Sequence, residues 1–413
     1  MEKCGLVGEK LGHSFSPMIH SFLSRYSYEL FEKQKDELED FIKNGDYTGL
    51  NITIPYKKEV MKYCNKLSYN AKRIGCVNTI VKNPDGTIFG DNTDYYGFKY
   101  NVIHSKINVK DKKVIILGNG GATLTVKAVM EDLKAKEIVV ISRKGENNYE
   151  NIAKHYNDTE IIVNATPIGM YPNNGQTLID LSKFVKCVGV FDLIYNPHLT
   201  RLLLDAKNLN IPYSNGLIML VAQAKKASEI FTNRKIPNKV IEKIAHEIQI
   251  RTLNIALIGM PGVGKTSVAK RINRIWGKDI IDIDLLIEER MNMTIPEIFE
   301  KYGEDKFRDI ETEILADISK ESGKVIATGG GIITRERNYE LLRQNSLLVY
   351  LYREIDDLPT EGRPLSQLNS LKELEEKRRP IYEKWSDYSF YSEGVREVSY
   401  EIKKTICREG LIR

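Results

Sequence analysis

Short apolar runs that end in small-residue turns recur along this chain, with amphipathic stretches between them. Cys4-Gly5-Leu6-Val7-Gly8, Lys113-Val114-Ile115-Ile116-Leu117, Glu137-Ile138-Val139-Val140-Ile141-Ser142, Glu160-Ile161-Ile162-Val163-Asn164 and Asn254-Ile255-Ala256-Leu257-Ile258 each read as a short buried strand. Gly49-Leu50-Asn51-Ile52-Thr53-Ile54-Pro55 reads as a strand stopped by its proline, with the polar Asn51 and Thr53 facing one way. Helical spacing appears at Val126, Val129, Met130 and Leu133, and again at Val240, Ile241, Ile244 and Ile248. Ser16-Pro17 and Asn215-Gly216 precede further helices, the first with proline at the opening helical position. Strands and helices alternating in this way, with no internal repeat, predict an α/β architecture.

Length and charge narrow the picture. At 413 residues the chain exceeds one ordinary core, so about two or three domains are expected. With 42% apolar and 28% charged residues it has the composition of a globular protein, not of a disordered one. A net charge of +5 suits anionic small-molecule substrates, and without a clustered basic tract it argues against nucleic acid. No apolar run approaches membrane-spanning length, and Met1-Glu2-Lys3-Cys4 is expected to begin no signal peptide. Five scattered cysteines with no C-x-x-C indicate neither a disulfide framework nor a zinc site, which points to a reducing cytoplasm.

The sharpest chemical signal follows the strand at Asn254. Gly259-Met260-Pro261-Gly262-Val263-Gly264-Lys265-Thr266 matches G-x-x-x-x-G-K-[ST] throughout, and Ser267-Val268-Ala269 opens a helix. Glycines let the backbone N–H groups curl around a polyphosphate, and the helix N-terminus adds its positive end. Gly262, Val263, Gly264, Lys265, Thr266 and Ser267 are therefore candidate nucleoside-triphosphate ligands, with Lys265 on the terminal phosphates and Thr266 on Mg²⁺.

The first hundred residues are dense in small polar side chains at turns. His13-Ser14-x-Ser16-Pro17, Asn51-x-Thr53-x-Pro55-x-Lys57, Val77-Asn78-Thr79 and Gly90-Asp91-Asn92-Thr93-Asp94 resemble, in order and spacing, the motifs of shikimate dehydrogenases. The resemblance implies that Ser14, Ser16, Thr53, Asn78 and Asp94 bind the hydroxyls and carboxylate of a cyclohexene acid, and that Lys57 and Asp94 form the catalytic pair. The chemistry agrees: reducing a ketone needs a proton for its oxygen, an ammonium can supply it, and a neighbouring carboxylate keeps that ammonium charged.

Farther along, Gly118-Asn119-Gly120-Gly121-Ala122-Thr123 lies between a strand and a helix, the arrangement that sets a pyrophosphate on a helix N-terminus. Thr123 replaces the last glycine of the strict fingerprint, a variant that resembles shikimate dehydrogenases. Ser142-Arg143-Lys144 ends the next strand with cations and no acid, which favours NADP over NAD. Between Arg143 and Glu160 the chain is short and polar where the family carries a longer helix-containing segment, so the adenosine side of the pocket is expected to be trimmed. Asn164–Met170 and Phe191–Pro197 should rim the nicotinamide crevice, with Leu193 set to the cofactor and Tyr195 to the substrate. The family resemblance adds Gly216 beside the nicotinamide and Gln223 on the substrate.

Beyond the glycine-rich loop, Asp282-Ile283-Asp284 reads as two acids on one side of a strand end. With Phe307-Arg308-x-x-Glu311, Gly329-Gly330-Gly331, Gly362-Arg363-Pro364-Leu365 and Arg378-x-Pro380-x-Tyr382, it makes residues 253–413 resemble shikimate kinase. That likeness implies Asp284 as base, Asp282 with Thr266 on Mg²⁺, and Arg308, Arg378, Gly329, Gly330 and Gly331 around the acid. Arg363 would close over the phosphate of ATP from a lid, Tyr352–Gly362, that is shorter than is usual for the family.

The expected organisation is a two-domain dehydrogenase followed by a kinase with a parallel sheet. Residues 1–100 and 216–250 would bind the acid, 101–215 would form a Rossmann-type NADP domain, and 253–413 the kinase, joined by a short helical tether. The implied partners are NADP(H), ATP, Mg²⁺ and the acids 3-dehydroshikimate and shikimate, with no nucleic acid and no membrane. The oligomeric state stays open, a homodimer included. Two alternatives remain at this point: quinate as the dehydrogenase substrate, and a regulatory P-loop module without turnover.

Overall fold

The opening apolar run forms β1 (Lys3–Gly8), whose residues from Cys4 onward are all buried. The structure, a computed structural model, describes residues 2–12, 14–23, 26–143, 147–354 and 371–408. Helix α1 (Ser16–Leu23) returns the chain to β2 (Ser27–Glu32), parallel to β1. Then come α2 (Leu38–Asn44), β3 (Gly49–Ile52), β4 (Lys66–Leu67), α3 (Tyr69–Ile74), β5 (Thr79–Lys82), β6 (Ile88–Asp91) and α4 (Thr93–Ser105). The first sheet has the order β2-β1-β3-β5-β6-β4, with β5 antiparallel to both of its neighbours. β3 stops at Ile52, earlier than the expected Pro55, because Thr53 to Lys58 form a turn closed by Tyr56 N on the Thr53 carbonyl at 2.9 Å. Asn51 is buried in the sheet and Thr53 is half-buried in that turn, where its N–H donates to the Val7 carbonyl at 2.9 Å.

The second sheet is wholly parallel, in the order β11-β10-β9-β7-β8. It is built from β7 (Lys113–Leu117), α5 (Gly121–Asp132), β8 (Glu137–Ile141), α6 (Ile152–His155), β9 (Ile161–Asn164), β10 (Gly189–Asp192), α7 (Arg201–Asn208) and β11 (Tyr213–Ser214). Helix α6 is a single turn within the segment read as short and polar; Ile152, 1% exposed, anchors it. Helix α8 (Leu217–Thr232) packs against α4, where a Cβ on Gly97 would stand 2.6 Å from the Met219 carbonyl. Helix α9 (Lys239–Thr252) runs to within two residues of the next strand, with Ile241, Ile244 and Ile248 buried as its spacing predicts.

The third sheet is also parallel, in the order β13-β14-β12-β15-β16. Its elements are β12 (Asn254–Ile258), α10 (Lys265–Trp276), β13 (Ile280–Asp282), α11 (Ile283–Met291), α12 (Ile295–Ile318), β14 (Val325–Ala327), α13 (Glu336–Arg343), β15 (Ser346–Tyr352), α14 (Leu371–Trp385), β16 (Tyr388–Tyr391) and α15 (Val395–Arg408). β12 lies at the centre with every residue buried, so the glycine-rich loop issues from the middle of the sheet, where α/β sheets place their ligands.

Two compact units result. One comprises Met1–Met170, Gln176–Tyr195 and Thr200–Ala245, the other Tyr171–Gly175, Asn196–Leu199 and His246–Arg413. Among the described residues no helix is long and apolar enough to cross a membrane.

Candidate active sites

Lys57 and Asp94 come from separate elements whose backbones are fixed independently. Lys57 belongs to the turn after β3, and its carbonyl accepts from Val77 N at 2.8 Å. Asp94 lies in the first turn of α4, whose N-cap Asn92 accepts from Tyr95 N at 3.2 Å and donates to the Cys76 carbonyl at 3.1 Å. Lys57 Nζ then stands 2.7 Å from Asp94 Oδ2, the two side chains only 23% and 14% exposed. Burial pulls the ammonium pKa down, but the charge and hydrogen bond of Asp94 outweigh it and hold Lys57 above the usual lysine value.

Beside the pair lies a buried polar cluster. Asn78 Oδ1 accepts from Thr93 N at 2.6 Å and lies 3.1 Å from the hydroxyls of both Thr79 and Thr93. Thr93 Oγ1 also reaches Gln223 Oε1 at 3.4 Å, and Gln223 Nε2 donates to the Leu220 carbonyl at 3.0 Å. Ser14 Oγ accepts from Ser16 N at 3.2 Å. Tyr195, just past β10, packs on Phe15 with ring centroids 5.2 Å apart, so a strand end of the second sheet abuts the serine loop. The contacts thus tie Lys57 to Asp94, Asn78 to Gln223 and Tyr195 to the loop of Ser14 and Ser16. Among the described residues Thr53 makes no side-chain hydrogen bond to any of them.

At the carboxyl ends of β7 and β8, Gly120 caps α5, and Gly121 and Ala122 form its first turn. Asn119 and Gly120 are exposed, so the N–H groups of the helix terminus are open to an anion. Gly118 N donates to the Ile141 carbonyl at 2.8 Å, which brings this turn alongside Ser142 and the exposed Arg143. Lys144 lies outside the described residues. A Cβ on Gly216 would stand 2.0 Å from the Leu193 carbonyl oxygen, so only glycine lets α8 begin against that strand end.

In the second unit Gly262 (φ 89°) and Gly264 (φ 95°) adopt left-handed backbone that bends the loop into α10. Lys265, 8% exposed, donates to the carbonyls of Gly259 and Met260 at 2.9 and 3.0 Å. Thr266 Oγ1 donates to Asp282 Oδ2 at 2.7 Å. The two acids are not on one strand, as their alternation suggests. β13 ends at Asp282, which N-caps α11 by accepting from Asp284 N at 3.1 Å, and Asp284 sits in the first helical turn. Capping by Asp outweighs the short apolar spacing that reads as strand.

Gly262, Gly264, Lys265, Thr266, Ser267, Asp284, Arg308, Gly329, Gly330, Gly331 and Arg378 line one cavity of about 460 Å³, walled on one side by Phe299 and Phe307. Val263 instead packs in the core at 2% exposure, and Arg363 lies outside the described residues. Arg308 Nη1 donates to Glu311 Oε2 at 2.9 Å, and Arg378 Nη1 donates to the Gly330 carbonyl at 3.0 Å, where Tyr382 also donates. A Cβ on Gly331 would stand 2.0 Å from Arg308 Nη2, so glycine is what lets the guanidinium lie against this turn. Burial raises the Asp284 carboxyl against the pull of Lys265, and raises Glu311 against the pull of Arg308. Glu311 and Tyr382 stand in the motifs read from the sequence without being picked as site residues. The spacing of Glu311 three residues after Arg308 was the available signal.

Residues 6–80 match the family model of the shikimate dehydrogenase substrate binding domain, and residues 261–407 that of shikimate kinase. A shikimate dehydrogenase (NADP(+)) from Clostridium beijerinckii is 39% identical over 262 residues, which cover 59% of this chain and 96% of that protein. Among solved structures, shikimate dehydrogenase 1 from Peptoclostridium difficile aligns at 36% identity and TM-score 0.56, over 60% of this chain and 98% of the other. A chorismate mutase/shikimate 5-dehydrogenase fusion protein from Clostridium acetobutylicum aligns at 35% identity and TM-score 0.57, over 60% and 97%. The chain therefore belongs to the shikimate dehydrogenase family, and on the same polypeptide a shikimate kinase domain follows the dehydrogenase.

Proposed function

We propose that this chain is a cytoplasmic bifunctional enzyme that reduces 3-dehydroshikimate to shikimate with NADPH and then phosphorylates the 3-hydroxyl of shikimate with MgATP. On this reading residues 1–100 and 216–250 bind the ring acid, 101–215 bind NADP(H), and 253–413 form the kinase. Ser14, Ser16, Thr53, Asn78, Tyr195 and Gln223 hold the hydroxyls and carboxylate of the acid. Lys57 faces the ketone oxygen and gives it a proton, while Asp94 keeps the ammonium charged and aimed. NADPH, when bound, supplies the hydride. The turn Gly118–Ala122 takes its pyrophosphate, Ser142, Arg143 and Lys144 its 2′-phosphate, and Leu193 and Gly216 border its nicotinamide.

In the kinase the loop N–H groups and Lys265 hold the phosphates, with Arg363 as a further cation for them. The hydroxyl of Thr266 and the carboxylate of Asp282, already in contact, are the hard oxygen donors that fit Mg²⁺, which when bound offsets phosphate charge. Asp284 orients the 3-hydroxyl and accepts its proton, a task that its raised pKa suits. Arg308 and Arg378 clamp the carboxylate, and Gly329–Gly331 bring backbone against the ring.

The observation that carries the reading is the cavity in which the P-loop lysine, the acid Asp284 and two arginines line one space. The test supplies purified protein with 3-dehydroshikimate, NADPH and MgATP and follows NADPH loss and ADP formation separately. Both should proceed, and ADP formation should require the acid. Nucleotide binding without acid-dependent ADP release would instead mark the second unit as a regulatory module.

A further inference from the structure

One buried acid in the first unit has no part in the chemistry above. Asp192 is the last residue of β10, just before Leu193 and Tyr195, and is fully buried. Its Oδ1 accepts from Ile194 N and from Asn164 Nδ2, both at 3.0 Å, and its Oδ2 accepts from Thr200 Oγ1 at 2.7 Å. All three partners are neutral donors. Burial pushes the carboxyl up to about 6 while these hydrogen bonds pull the other way, so it is ionised at neutral pH. A buried anion held by neutral donors costs stability that an apolar side chain of similar shape would not, so packing alone does not account for it.

The three bonds join segments that border the proposed dinucleotide crevice. Ile194 N is held in a local turn two residues on, and the Ile194 carbonyl accepts from Gly216 N at 3.0 Å, where α8 begins. Asn164 ends β9, and its Oδ1 accepts from Thr166 N at 3.1 Å and from Thr166 Oγ1 at 2.7 Å. The Thr166 methyl lies 2.8 Å from where a Cβ on Gly118 would stand, so this loop packs on the pyrophosphate turn. Thr200 caps α7, accepting from Leu203 N at 3.4 Å, and its hydroxyl marks the end of the stretch that starts at Leu193. One carboxylate therefore holds both ends of the stretch carrying Leu193 and Tyr195, and ties its start to the end of β9.

We propose that Asp192 is a positioning residue for the reductase, its two oxygens closing the stretch from Leu193 to Thr200 so that Leu193 and Tyr195 keep their places beside the nicotinamide and the acid. This rests on the dehydrogenase reading given above. The hydrogen bonds do this, not the bulk, and the two are separable. Asp192→Leu keeps a branched side chain and removes every acceptor. Asp192→Asn keeps an oxygen for Ile194 and Asn164 and turns an N–H toward Thr200, whose hydroxyl can accept it. Thr200→Val removes only the hydroxyl that closes the stretch, and Thr200→Ser puts it back.

Steady-state reduction of 3-dehydroshikimate by the full-length protein, with Tm measured on each variant, tests this. Asp192→Leu should raise KM for NADPH and for the acid, each roughly tenfold, and lower kcat about tenfold, whereas Asp192→Asn should stay within about threefold of the wild type. Thr200→Val should raise both KM values about three- to fivefold, and Thr200→Ser should return them to the wild-type range. The Thr200 pair decides the matter if Asp192→Leu does not fold. Wild-type KM values in Thr200→Val overturn the inference, as does a loss in Thr200→Ser equal to that in Thr200→Val. A fall in kcat with a lowered Tm and both KM values unchanged also overturns it, since that pattern describes packing alone. Turnover by the wild type reports on the dehydrogenase reading, and the ratio of each variant to it reports on Asp192.

Discussion

Around Lys57 the protein sets one ion pair among neutral groups, Asn78, Thr79, Thr93 and Gln223, whereas around Asp284 it sets Lys265, Arg308 and Arg378 against the carboxylates of Asp284 and Glu311. The difference follows the charge each proposed reaction has to hold. Ketone reduction hands one proton to one oxygen, and a single ammonium suffices. Phosphoryl transfer gathers a carboxylate and a triphosphate in one cavity, which needs several cations. In both places a key cation is held before any ligand arrives, Lys57 by Asp94 at 2.7 Å and Arg308 by Glu311 at 2.9 Å. The common lesson is preorganisation: in each place a neighbouring carboxylate orients the cation.

The comparison breaks most sharply at its two centres. Lys57→Ala should lower kcat for reduction by roughly 10²–10⁴-fold and leave phosphorylation within about twofold, and Asp284→Asn should do the reverse. Initial rates of NADPH loss and ADP formation on each variant check this, and loss of both activities in a folded variant contradicts two independent sites. Gly331→Ala comes next. Its Cβ would push on Arg308, so KM for shikimate should rise by roughly 10²-fold while the dehydrogenase is untouched.

A pH profile sharpens the first half of the comparison. Asp94 lifts the Lys57 pKa against burial, so the alkaline fall of reductase kcat/KM should lie above the usual lysine value. Asp94→Asn removes the two raising causes that Asp94 supplies and leaves burial opposed by Cys76 alone, so that fall should move to lower pH than in the wild type. For the kinase the sign concerns the acid side. Burial raises Asp284, so activity should be lost on acidification at a higher pH than an ordinary aspartate would dictate. The smallest expected effect is Tyr382→Phe, which keeps the buried ring but removes a donor from the Gly330 carbonyl. KM for shikimate should rise by no more than about fivefold, with KM for ATP unchanged.

Much of this was legible in the sequence because it is local. The strands at Lys113, Glu137 and Asn254, the glycine turns after the first and the last of them and the spacing of α9 depend on neighbouring residues. What was misread depends on tertiary or capping contacts. Asp282-Ile283-Asp284 has strand-like alternation, yet Asp282 turns the chain into α11 by capping it. Pro55 suggests where β3 stops, yet the turn that begins at Thr53 ends it at Ile52. The turn at α6 forms because Ile152 finds a core, which no local pattern announces. Glu311 was visible as a residue but not as a partner, because its meaning appears only once Arg308 is seen to be buried with it.

The central claim is that one acid passes through two pockets of one polypeptide, and the Lys57→Ala protein tests it most directly. Given 3-dehydroshikimate, NADPH and MgATP, this variant should form almost no ADP, and adding shikimate alone should restore ADP formation to the wild-type rate. ADP formation before shikimate is added, or none after it, would contradict the account.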